Sequence, residues 1–81
     1  METFEGKLIH RPSGEDASVL VTVHSRQNTA GVARIVWEAE LALPDGTHRH
    51  VERRDTSAPA AYARVPVDDL ARWLLVGELQ A

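Results

Sequence analysis

Alternation of apolar and polar side chains is the feature of this chain that most restricts its fold. In the segment VARIVWEAELAL (32–43) every odd-numbered position is apolar, and Arg34, Glu38 and Glu40 lie between them. A period of two residues is that of a strand with one buried face. The next residues, LPDGT (43–47), contain the proline and Asp-Gly that tight turns favour. The sequence therefore predicts a hairpin between this segment and THRHVERR (47–54).

The same alternation predicts the remaining strands. The four predicted strands are residues 3–10, 17–24, 32–43 and 47–54. Residues 11–16 (RPSGED) are rich in turn formers, and residues 25–31 (SRQNTAG) are predicted to form a longer, mobile functional loop. Residues 55–66 are predicted to be a linker, with one helical turn capped by Ser57 or, instead, a short edge strand of residues 62–65 as the alternatives.

The C-terminal segment changes to a helical period. Leu70, Trp73 and Leu74 recur at helical spacing, and Asp68 precedes them as the predicted N-cap, so one helix is predicted over about residues 68–79. Consecutive strands followed by one helix predict an α+β fold, with a four-stranded antiparallel β-meander and one C-terminal α-helix packed on one face.

Length and cysteine content limit how such a fold is stabilised. A chain of 81 residues forms one small domain, which buries only about 60% of its unfolded surface or slightly more. The chain contains no cysteine, which excludes disulfides and thiolate metal sites. A metal ion or a partner subunit remains as the means of adding stability.

Charge and composition indicate the class of protein. The net charge is −3, which disfavours a dedicated binder of duplex nucleic acid. Lys7 is the only lysine among nine basic residues, a bias typical of GC-rich bacterial or phage genomes. The N-terminal residues METFEGKLIH contain acidic side chains and no long apolar run, so a cytoplasmic location without membrane contact is expected.

Two histidines on the fourth predicted strand raise the question of a metal site. The hairpin pairing places His50 opposite Glu40, and His48 on the same face. Together with Glu38 or Glu52 these side chains could surround a zinc ion. The alternative is a cross-strand His–Glu pair on a solvated face, and this interpretation is the expected one, with no metal and no cofactor. The same pairing places Arg53 opposite Trp37, in reach of a cation–π contact.

The sequence gives no sign of catalysis. Its serines and threonines lie in no motif such as G-x-S-x-G, and no glycine-rich phosphate-binding motif is present. A non-catalytic protein is therefore expected.

The helix suggests how the chain associates. Stepping about 100° per residue from Leu70, the side chains of Leu75, Val76 and Leu79 point away from the sheet. This apolar arc predicts an isologous homodimer interface with Arg72 at its rim. Docking of a different protein on the same arc, or simple fraying of the terminus, remains an alternative.

Two classes of function follow. The favoured one is a non-catalytic protein–protein interaction or regulatory module, of phage or mobile-element origin, acting as a homodimer. The alternative is a single-stranded nucleic-acid-binding module that uses the sheet face and the loop 25–31. Its predicted contacts are Arg26, Arg34, His48, His50 and Arg54.

Overall fold

The chain forms a four-stranded antiparallel sheet followed by two short helices. A computed structural model describes all 81 residues, Met1 to Ala81. Its elements are β1 (Glu2–His10), β2 (Glu15–Thr29), β3 (Val32–Ala42), β4 (His48–Pro59), a 3₁₀ turn (Ala60–Ala63), α1 (Val67–Leu74) and α2 (Val76–Gln80). The strands lie in sequential order, so β1 and β4 are the two edges of the sheet. The predicted α+β meander is confirmed.

The prediction of a loop over residues 25–31 is wrong. β2 continues to Thr29 and pairs with β3 up to Val32. Ala30 and Gly31 join the two strands, with φ angles of 52° and 80°. Two consecutive residues at positive φ form the type of tight turn whose twist matches that of a hairpin. The polar residues before the turn are therefore paired strand residues at the exposed end of the hairpin.

The predicted hairpin between β3 and β4 is confirmed. The Leu43 N–H donates to the Thr47 carbonyl at 2.8 Å, and Gly46 has a φ of 88°. The Asp45 carboxylate accepts the Thr47 N–H at 2.9 Å, and this bond lowers the pKa of Asp45. The turn thus fixes the pairing of Glu40 with His50 that the sequence predicts.

Two β-bulges shift the register at the middle of the sheet. In β2, the pairing with β3 passes from Val23–Trp37 to Ser25–Val36, so His24 is an extra residue. In β4, two residues lie opposite Glu38 in the same way. A bulge changes which side chains face the core beyond it. As a result Trp37 pairs with Arg54, and the predicted pairing with Arg53 is wrong.

The region after residue 54 also differs from the prediction. β4 extends to Pro59, so the first part of the predicted linker is strand. A 3₁₀ turn follows at Ala60–Ala63, so the alternative of an edge strand over residues 62–65 is wrong. The single predicted helix is two helices that meet at Leu75, where φ is −94° and ψ is 3°. Asp68 is not the N-cap, because α1 begins at Val67 and its cap residue is Pro66, without a side-chain cap bond.

The core lies between one face of the sheet and the C-terminal elements. All 18 buried residues are apolar, and they form one cluster that includes Ile35 of β3 and Leu70 of α1. On β1, the ring of Phe4 covers Gly6, where an added Cβ would lie 2.8 Å from the ring. The accessible surface is 4822 Å², and a folded monomer of this mass has about 4,800 Å². Burial within one copy is therefore that of an ordinary small monomer.

Candidate protein interaction site

The basic residues predicted to bind nucleic acid do not share one face. Arg34, His48 and His50 lie on the open face of the sheet, which no helix covers. Arg26 lies opposite the buried Ile35, and Arg54 lies over the ring of Trp37 at 5.5 Å. Both therefore belong to the core face. The two bulges separate them from the other three, so the prediction of one continuous basic face is wrong.

The open face carries paired charges of both signs. Arg34 donates to Asp55 at 2.8 Å. His50 lies 2.6 Å from the Glu40 carboxylate, and this exposed pair is the one predicted from the hairpin. A further pair, His24 with Glu38 at 2.7 Å, was missed because the bulge at His24 brings the two side chains together. Carboxylates accompany the cations on this face, which is unlike a phosphate-binding surface.

The predicted histidine residues do not form a cluster with metal-site spacing. No group of three or more histidine, aspartate and glutamate side chains converges. His50 contacts Glu40 alone, and His48 is exposed. The expectation that the protein binds no stoichiometric metal stays a prediction.

Arg26 joins three parts of the chain. Its guanidinium donates to both oxygens of Glu2 at 2.8 and 2.6 Å. It also donates to the carbonyls of Tyr62 at 3.2 Å and Val65 at 2.6 Å. The Arg26 bond to Glu2 is the main cause of the lowered pKa of that carboxyl. Arg26 is therefore a structural residue that fastens β1 and the segment before α1 to the sheet, and is not a free ligand-binding cation.

The predicted helix interface is only partly exposed. Leu75 and Leu79 are 0% and 8% exposed, so the prediction that they face away from the sheet is wrong. The change of direction at Leu75 ends the regular 100° stepping on which that prediction depended. Val76 is 46% exposed, and Arg72 is exposed beside it. Of the four residues predicted to form the interface, only these two are exposed.

Val76 and Arg72 border a groove beside the edge strand β1. The groove has a volume of about 450 Å³. Its wall on the β1 side includes Lys7, Ile9 and Arg11, and its wall on the helix side includes Arg72 and Val76. Ile9 is 51% exposed. A groove with apolar residues and a mainly basic polar lining, which also includes Asp16, therefore lies directly alongside a sheet edge.

The outer backbone of β1 is unpaired. Outside the regular strand and helix ladders, none of the backbone hydrogen bonds ends on residues 2–9. The pairing of β1 with β2 is unbroken over all nine residues, without a bulge. α2 reaches the end of this edge, where the Leu79 carbonyl accepts the Arg11 N–H at 2.8 Å. A regular edge whose outer backbone groups are free is a template for pairing with another strand.

The other edge of the sheet is different. β4 contains a bulge, ends at Pro59 and exposes Arg53 and Arg54. Bulges, proline and charged side chains are the usual means by which proteins prevent pairing at an edge. Of the two edges, β1 is the one open to association. The predicted meander makes β1 an edge strand, but the bulge that distinguishes the two edges and the groove beside β1 have no signal in the sequence.

The chain matches no protein-family model, no curated protein and no solved structure at a significant level. Neither helix of the fold has the length and apolar character required to cross a bilayer.

Proposed function

We propose that this protein is a non-catalytic protein–protein interaction module that binds a polypeptide strand along β1. The observation that carries the proposal is the regular, unpaired edge of β1 beside an apolar groove. Addition of a strand to a free edge is a common mode of peptide recognition, in which backbone bonds give affinity and side-chain pockets give specificity. Ile9 and Val76 would provide the apolar contacts, with Lys7, Arg11 and Arg72 at the rim.

The same geometry supports a regulatory role. One edge pairs with one strand at a time, so two partners that use β1 exclude each other. The nucleic-acid alternative has weaker support, because Arg26 and Arg34 are held by Glu2 and Asp55 on opposite faces of the sheet. The cytoplasmic location and the phage or mobile-element origin are part of the proposal and depend on composition alone.

The proposal predicts that charges placed in the groove abolish binding. A tagged chain used as bait in cells of the native source should recover a specific protein, either an untagged copy or another chain. The variant Ile9→Lys/Val76→Lys should lose it. Leu20→Lys/Val32→Lys is the matched control, because both positions are 38% exposed and neither lines the groove. Equal recovery by all three baits, or loss only with the control, would contradict the proposal.

A further inference from the structure

The order of charges along β1 is self-complementary. Its residues are ETFEGKLIH (2–10), with Glu5 and Lys7 placed symmetrically about Gly6. Two copies of this strand can pair antiparallel about an axis that passes between their Gly6 residues. Glu5 then lies opposite the partner's Lys7, and Thr3 lies opposite the partner's Ile9. On the core face, Phe4 lies opposite the partner's Leu8.

We propose that the strand bound by β1 is β1 of a second copy, in this register. The inference rests on the proposed function of the β1 edge and names its partner. Directly opposed residues of an antiparallel pair share one face, so the two sheets join into one continuous sheet with the helices of both copies on one side. Leu8 and Ile9, which line the groove with Val76 and Arg72, lie opposite the partner's Phe4 and Thr3, so this end of the partner strand fills the groove beside β1.

Charge selects this register over its neighbours. Sliding one copy by two residues keeps the faces matched but brings Glu5 opposite the partner's Glu5, or Lys7 opposite the partner's Lys7. Like charges directly opposite each other destabilise a strand pair, and opposite charges stabilise it. A slide by one residue turns the apolar side chains to the wrong faces. The register centred on Gly6 is also the one that pairs all nine residues of β1.

Glu5 and Lys7 are well suited to a test, because both are exposed and neither takes part in an ion pair within the chain. Exchanging their charges therefore leaves the fold of one copy intact, which circular dichroism checks. E5K alone, or K7E alone, replaces two attractive pairs of the dimer by two repulsive ones. Each variant should self-associate more weakly than the wild type, by about tenfold or more.

Mixing the two variants is the decisive experiment. An equimolar mixture of E5K and K7E can form a mixed dimer, in which residues 5 and 7 of the two copies again pair with opposite charges. Sedimentation velocity should show that the mixture, and the double variant E5K/K7E, recover the association of the wild type. Because the chain has no cysteine, Thr3→Cys mixed with Ile9→Cys should also form an intermolecular disulfide under mild oxidation, whereas Thr3→Cys alone should not.

A wild type that stays monomeric at millimolar concentration would overturn the inference, as would a mixture that associates no better than its components. If the groove variant nevertheless loses a different protein in the bait experiment, the proposed function stands and only the identity of the partner is wrong. If neither effect occurs, both fail.

Discussion

Replacing Leu75 by alanine is expected to destabilise the fold by about 3 kcal/mol, the usual cost of truncating a buried leucine. Leu75 lies at the junction of α1 and α2 with no exposed surface, and it is among the largest fully buried side chains of the core. The neighbouring Val76→Ala is the matched control. Val76 is 46% exposed, so its truncation should change the free energy of unfolding by about 0.5 kcal/mol or less.

Urea denaturation of the two variants measures this difference directly. The prediction also distinguishes the observed bend at Leu75 from one straight helix. A straight helix would expose Leu75, and then its truncation would be nearly neutral. Equal, small effects of both substitutions would show that Leu75 is not part of the core.

Arg26→Ala is expected to destabilise the fold by about 2–3 kcal/mol. The substitution leaves the partly buried carbonyls of Tyr62 and Val65 without their donor, and such loss costs about 1–3 kcal/mol. The bond to Glu2 adds less, because the Glu2 side chain is 45% exposed. Arg26→Lys should restore little, since a single ammonium cannot reach both the carboxylate and the carbonyls as the planar fork does.

Arg34→Ala is the control for Arg26, because its ion pair with Asp55 is exposed on both sides and should contribute about 0–1 kcal/mol. The pH dependence provides a second measurement. The pKa of Glu2 is lowered below its ordinary value of 4.5, so the stability that the pair contributes is present above that pH and is lost as the pH falls through the folded-state value. Arg26→Ala should lose this acid-dependent component. Equal destabilisation by both alanine variants, with the same acid profile, would contradict the role of Arg26.

The sheet could be predicted from the sequence because its signals are local. Alternation identifies each strand, and Pro44, Asp45 and Gly46 specify the turn that pairs Glu40 with His50. The ends of the strands could not be predicted in this way. The turn at Ala30 depends on an alanine at positive φ, which sequence rules disfavour, and the polar residues before it resemble a loop.

The candidate site was less accessible to prediction than the fold. Bulges at His24 and opposite Glu38 place Arg26 and Arg54 on the core face, and no periodicity rule signals where an extra residue occurs. A bend at Leu75 likewise changes which side of the helix is buried. Arg72 and Val76 were identified correctly as exposed, and the predicted meander makes β1 an edge strand, while the groove between them depends on how the C-terminal helices pack.

Hydrogen exchange at the two sheet edges tests association through β1 most directly. The amides of residues 3–9 that face away from β2 should become protected by about tenfold or more as the protein concentration rises from about 10 µM to about 1 mM. The outward amides of β4 should exchange at a rate that does not depend on concentration. Outward β1 amides that exchange at the same fast rate throughout this range, in a fully folded protein, would contradict self-association through β1.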